Sequence, residues 1–231
     1  MSKPFDVREQ LAAFTGWAPL FPLPNVVHFP HLLLPLHIFE PRYRQMVGDS
    51  LTGSRLIAMA LLKPGWVTTE GSPPIHDTVC LGRITAEQFA PDGRYYLVVQ
   101  GLSRARVVRE EASDRPYRVA EMTLHPDPEK VTSEAAAAAQ RRRLIGTFRK
   151  LFPRHDLDQV LRRAIEEAVP LGILCDVLAD AMALEPQDAQ KVLAELDINR
   201  RCGVVLRLIH NKVRRRAKAA VTNWPPEFSL N

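Results

Sequence analysis

The sequence predicts an α+β fold, with a β-rich first half and an α-helical second half. Three observations carry this. Up to about residue 127, short apolar runs alternate with Pro, Gly and Asp turns, which is how strands are punctuated. One of those turns, Ala90-Pro91-Asp92-Gly93, has a mechanism: proline presets φ and glycine accepts the left-handed position. Beyond residue 131, apolar residues recur at the period of one helical face.

The elements follow in order. Val7–Phe14 suits a short helix. Trp17–Leu23 and Leu32–Phe39 are apolar runs bounded by proline, which removes ladder donors and so suits edge or bulged strands. Pro41 stands where a helix can start, since its missing N–H is no loss in the first turn. Tyr43, Met46, Val47 and Leu51 then supply one buried face, with Arg42, Arg44, Gln45 and Asp49 outward. Arg55–Leu62 reads as a strand and Lys63–Pro74 as a loop. Thr78–Phe89 and Arg94–Glu110 form a strand pair around the Pro-Asp-Gly turn, and Tyr117–Leu124 is a further strand. Within Arg94–Glu110 both faces are apolar, as in a small closed barrel packed on both sides.

Four helices are expected next. The alanine run from Glu134 continues to about Phe152, where Pro153 ends it. Leu157–Ala168 is the second. Leu171, Leu174, Cys175, Leu178, Ala181 and Met182 mark the third. The fourth starts at Pro186 and runs from Gln187 to about Lys218, roughly 45–50 Å. Its inner face includes Val192, Leu193, Leu196, Cys202, Val205 and Ile209. The expected domains are 1–127 (β-rich), 128–220 (helical) and a tail, 221–231, read as extended from Thr222.

Apolar content of 46% and charged content of 25% are ordinary for a globular protein. No apolar run is long enough for a membrane span, and acids near the N-terminus leave no signal-peptide core. The expectation is a cytoplasmic protein. Cys80, Cys175 and Cys202 are far apart in sequence and form no Cys-x-x-Cys pair, against a disulfide framework or a zinc site. The net charge of +5 lies wholly in residues 131–231 and is densest at Lys212, Arg214, Arg215, Arg216 and Lys218.

Residues 19–46, with prolines interleaved among bulky apolar residues and a helix opening at Pro41, resemble the start of the Lon N-terminal domain. Gly82-Arg83-Ile84, Asp92-Gly93-Arg94, Gly101-Leu102-Ser103-Arg104-Ala105-Arg106 and the helical run Leu174–Leu184 follow in the order of that family. The resemblance covers residues 17–211. It implies a PUA-like β pseudo-barrel followed by a helical bundle with a long last helix. It also implies a module that engages unfolded or tagged polypeptide, as a free-standing unit that works with a protease or chaperone.

The sequence has no Gly-x-x-x-x-Gly-Lys-[Ser/Thr] phosphate loop, no Gly-x-Ser-x-Gly and no His-Glu-x-x-His. None of its lysines sits in the Gly/Ser-rich setting of a Ser/Lys protease pair. His28, His31 and His37 are close in sequence, but Pro30 and Pro35 forbid a helix that would converge them on a metal. No enzyme activity, cofactor or metal is therefore expected.

The candidate binding residues are Phe21, Phe29 and Phe39, as apolar surface for an unfolded chain, with Glu40, Arg42, Arg104 and Arg106. Glu40 and Arg42 flank the helix start. A local role is favoured for them: Glu40 would accept helix N–H groups and pair with an arginine. Arg104 and Arg106 lie two apart on a strand, and a solvated face is favoured over an acidic ligand. The function expected is non-catalytic polypeptide binding, with an adaptor role in protein quality control. The alternative is a PUA-like RNA-binding protein, with the basic cluster on phosphate. Against it stand the absence of interleaved aromatics and the tendency of cations to gather at helix C-termini.

Overall fold

A computed structural model describes residues 6–68, 72–128, 133–151 and 169–222. The elements are α1 (Val7–Ala12), β1 (Trp17–Leu23), β2 (Leu33–Ile38), α2 (Pro41–Thr52), β3 (Leu56–Leu61), β4 (Thr78–Phe89), β5 (Tyr95–Glu110), β6 (Val119–His125), α3 (Glu134–Leu151), α4 (Leu171–Ala181), α5 (Pro186–Ala194) and α6 (Ile198–Thr222), with a 3-10 turn at Trp66–Thr68. The expected helix Leu157–Ala168, Pro153 and the tail beyond Thr222 lie outside the described residues. Two compact units result: Met1–Glu129 with Ala183–Leu196, and Lys130–Met182 with Asp197–Asn231.

The first unit is a mixed sheet in the order β2-β5-β4-β3-β1-β6, with β6 also pairing β5. It is a pseudo-barrel, not the regular closed barrel that the two-sided apolar pattern suggested. The long β5 divides one edge between two partners: Tyr95–Gln100 pair with β2, and Arg104–Glu110 pair with β6. Among the described residues β2 is left with β5 as its one partner strand. All six residues of β3 are buried, and its alternation feeds two cores. Leu56, Ala58 and Ala60 face the core shared by Leu20, Val79, Leu81 and Ala120, against which α1 packs. Ile57 and Met59 face the other, with Phe21, Ile38, Val99 and the Tyr43, Met46 and Val47 side of α2.

β1 differs from the edge strand that its prolines suggested. It lies between β3 and β6. Trp17–Pro19 pair with β6, whereas Leu20–Leu23 pair with β3. The strand changes partner between its two prolines, so each proline stands where one side of the ladder suffices. The turn at Gly93 is as expected, with φ of +83° and its N–H donating to the Ala90 carbonyl at 2.9 Å. Gly101 serves a close approach: a Cβ there would lie 2.2 Å from the Phe29 carbonyl oxygen. That contact seats the segment before β2.

The long fourth helix is in fact two. α5 ends at Ala194, and α6 starts after Asp197, whose carboxylate accepts the Arg200 N–H at 2.8 Å. Asp197 is thus an N-cap. Leu196 falls in the break and is exposed. α6 runs unbroken through Gly203. α5 belongs to the β unit because polar contacts fasten it there. Gln190 donates to the Thr78 carbonyl at 2.8 Å, and Gln187 meets His76 at 3.1 Å.

In the second unit α3, α4 and α6 pack together through Leu144, Phe148, Leu174, Leu178, Val205 and Ile209. Arg201 and Asp176 are both buried, 3.9 Å apart. Cys175 and Cys202, remote in sequence, are hydrogen-bonded here; that bond and burial push the Cys175 thiol up. All three cysteines are free thiols.

Two outcomes are expected. Met46→Asp places an unpaired carboxylate in a core position that is wholly buried; it should cost several kcal/mol, whereas Arg44→Ala should cost less than about 1 kcal/mol. Thermal melts will distinguish them. His28 is buried, and burial lowers its pKa from 6.5 to about 4, partly offset by a hydrogen bond to the Val99 backbone. The unfolded chain therefore binds this proton more readily. Stability is full above about pH 6.5 and falls by about 3 kcal/mol as pH drops toward 4. Denaturant titrations across that range should show the loss, and His28→Gln should flatten this part of the profile.

Candidate functional site

β2 places its odd and even residues in different environments. Leu34 and Leu36 are half-buried and Ile38 is buried, while Leu33, Pro35 and His37 are exposed, and Phe39 continues the exposed row past the strand end. Leu33 and Phe39 are 63% and 60% exposed. That is unusual for side chains of their size in a row. In register beside them on β5 lie Gln100, Val98 and Tyr96. The His37 ring stacks on Tyr96 at 4.7 Å with 6° between planes, and Phe39 is 5.8 Å from His37. Pro35, Val98, Ala86 and Gln88 contribute to a shallow depression of about 580 Å³ on this face. The result is an apolar, aromatic strip on an edge strand, with no Asp, Glu, Lys or Arg on β2 itself.

Past Phe39 the chain turns into α2 and reaches a second concavity of about 540 Å³. Its apolar lining includes Pro22, Leu23, Leu62 and Trp66, and ion pairs stand around it. Arg42 meets Glu40 at 2.8 Å, Arg115 meets Glu111 at 3.2 Å, and Arg118 donates to Glu110 at 2.6 Å and to the Pro73 carbonyl at 2.7 Å. Tyr117 donates to Asp49 at 2.6 Å; burial, then that bond, pushes its phenol up to about 12. Each arginine here is matched by a carboxylate, so the cleft presents no unbalanced charge to a ligand. The phenol stays neutral at physiological pH and supplies no base.

The sequence candidates separate. Phe21 is buried against Tyr43, ring centroids 4.6 Å apart. Phe29 is buried under β5 at Gly101. Neither offers the apolar surface expected of it, because the proline-bounded segment turns these rings into the core. Phe39 does lie on the surface. Glu40 pairs with Arg42, but its side chain makes no cap bond although it occupies the N-cap position of α2. Arg104 is not on a solvated face. It is 1% exposed, covered by α5, donating to the Leu193 carbonyl at 2.9 Å and lying 3.9 Å from Asp127. Arg106, two residues on, is exposed. Leu33, Pro35, His37 and Tyr96 were missed as surface residues. Their signal was the alternation along Leu33–Phe39, masked because both phases of the strand are apolar.

Of the three clustered histidines, His28 is buried, whereas His31 and His37 are exposed. Among the described residues no group of His, Cys, Asp or Glu is placed to hold a metal ion, and no helix is long and apolar enough to cross a membrane.

Residues 17–211 match the sequence profile of the ATP-dependent protease La (LON) substrate-binding domain. A Lon protease of Roseiflexus castenholzii is 27% identical over 222 residues, which are 92% of this chain and 27% of that protein. A Lon protease of Dictyoglomus thermophilum is 28% identical over 228 residues, 92% of this chain and 28% of the relative. The chain thus spans just over a quarter of the length of these curated relatives. Among solved structures, the N-terminal domain of a Mycobacterium avium complex Lon protease superposes with a TM-score of 0.67 at 14% identity, covering 84% of this chain and 98% of that one. A Lon N-terminal domain protein from Xanthomonas campestris gives 0.59 at 23% identity, covering 82% and 96%. These structural likenesses concern the fold.

The two strand arginines should behave oppositely. Arg104→Ala removes the cation that satisfies the Leu193 carbonyl and faces Asp127, and should cost about 3–5 kcal/mol. Arg106→Ala should stay within about 0.5 kcal/mol. Chemical denaturation of both variants is the check.

Proposed function

Because this chain belongs to the Lon substrate-binding domain family, we propose that it captures unfolded polypeptide on the exposed face of β2 and presents it to a protease or chaperone. The observation that carries this reading is the exposed row Leu33, Pro35, His37 and Phe39 beside Tyr96, on a strand with one partner. An extended segment laid along β2 would bury its apolar side chains against this row. Main-chain pairing would add little, because Pro35 has no N–H to offer and interrupts any ladder. Recognition would then be tolerant of sequence, as a receptor for many unfolded chains requires.

A few hundred Å² of apolar burial at about 25 cal/mol per Å², less the cost of association, gives binding in the micromolar class. The neutral cleft beyond Phe39 would hold whatever extends past the row. The module acts without catalysis of its own, as an adaptor in cytoplasmic protein quality control. The sequence supports this by containing neither a phosphate loop nor a Ser/Lys protease setting.

Leu33→Ser combined with Phe39→Ser should weaken binding to a permanently unfolded protein, such as reduced carboxymethylated lactalbumin, by about tenfold or more. Both positions are exposed, so the melting temperature should hold. Binding of the unaltered chain should survive about 0.3 M salt, because apolar contacts are not screened. Unchanged affinity in the double variant would remove β2 from the mechanism.

A further inference from the structure

Charge is organised differently in the two units. On the β unit most exposed cations come with carboxylates, Arg106 being an exception: Arg42 with Glu40, Arg94 with Asp92, Arg109 with Glu121 and Arg115 with Glu111. On the helical unit they do not. No Asp or Glu occurs from Ile198 to Thr222, nor from Ala135 to Leu151. α6 exposes Arg200, Arg207, Arg214 and Arg215. α3, packed on α6, exposes Arg142, Arg143, Arg149 and Lys150. Among the described residues no side chain of these eight forms an ion pair with a carboxylate; the Asp197 carboxylate meets only the Arg200 backbone N–H.

Helix stability does not account for this pattern. A solvated helix gains from mixed charges at i, i+4 and loses from like ones. A macrodipole favours cations in the last turn only, which accounts for Arg149 and Lys150 at the end of α3 but not for the other six. α6 extends to Thr222, so Arg207, Arg214 and Arg215 all precede that turn. Arg200 lies in the first turn, where the dipole opposes it. The expectation that the basic cluster marks a helix C-terminus therefore fails.

Geometry narrows the partner. Arg200, Arg207 and Arg214 recur every seven residues and so lie along one line, about 10.5 Å apart at 1.5 Å per residue. The opposite face, with Cys202, Val205 and Ile209, is buried. α6 thus has no free apolar side to insert into a lipid surface. It has no Phe, Tyr or Trp, and Phe148 of α3 is buried, so among the described residues of α3 and α6 the exposed His210 is the one ring on which an unstacked base could lie. A straight row of guanidinium groups matches a stiff rod of phosphates, which arginine grips bidentately.

We propose that the outward arginine row of α6 binds the phosphodiester backbone of a nucleic-acid duplex, independently of base sequence, with the cations of α3 adding to the positive field around it. The test uses the full chain and a short fluorescent DNA duplex in anisotropy titrations at about 0.05–0.2 M salt, with duplex RNA, single strands and polyglutamate as further arms. Affinity should fall with salt at a log–log slope of about −3 or steeper. Arg200→Gln, Arg207→Gln and Arg214→Gln together should weaken binding about tenfold or more and reduce that slope by about 3 units. Arg142→Gln with Arg149→Gln should act in the same direction, and Arg94→Gln with Arg109→Gln should leave binding unchanged. Circular dichroism melts confirm that each variant is folded. Binding of either duplex type supports the shared backbone chemistry, and the stronger arm identifies the source. Saturable binding absent at the lowest salt, an unaltered slope in the folded triple variant, preference for single strands, or displacement by polyglutamate at equal charge would each overturn the proposal.

Discussion

β3 is the strand on which the first unit depends. Its six residues are all buried, and no neighbouring strand shares that property. A strand buried on both faces cannot slip by one residue without exchanging the contents of two cores. Ala58 and Ala60 admit the close approach of Leu20, Leu81 and Ala120 on one side. Ile57 and Met59 fill the larger space beneath α2 on the other. The parallel pairing of β1 with β3 and the antiparallel pairing of β4 are both referenced to this register.

That centre leaves β2 at the margin. Its inner residues are held by β5 and the α2 core, while among the described residues nothing in the unit covers its outer row. An edge strand with large apolar side chains invites uncontrolled pairing. Pro35 limits that hazard by removing a donor while keeping an apolar surface. A receptor for unfolded chains needs this combination: sticky side chains on a backbone edge that does not template a sheet. His37 stacked on Tyr96 adds a flat, rigid platform at little entropic cost.

Electrostatics divide the molecule along other lines. In the β unit, ion pairs surround the cleft and Arg104 is used as an internal strut between β5 and α5. In the helical unit a buried pair, Arg201 with Asp176, serves the interior, and among the described residues the exposed arginine side chains of α3 and α6 pair with no carboxylate. The two surfaces are therefore suited to different chemistry, apolar on β2 and polyanionic on α3 and α6.

Much of the fold was legible in the residues. The extents of β1 and β4, the start of α2 at Pro41 and its buried Tyr43, Met46 and Val47 all follow from periodicity and proline placement, which are local properties. So does the turn at Gly93, where backbone conformation is imposed by residue type. The family is legible too, through the order of short motifs between residues 17 and 211. Other features required the tertiary structure. Asp197 could continue a helix or cap one, and only the docking of α5 on β4 and β5 makes it a cap. Phe21, Phe29 and Phe39 are alike in sequence, and which rings enter the core depends on the strand that each one faces. Arg104 and Arg106 share a strand face, and α5, brought in from about ninety residues away, covers one and leaves the other in water. Burial is a property of contacts between distant segments, so a local pattern can place a side chain on a face without determining what lies against it.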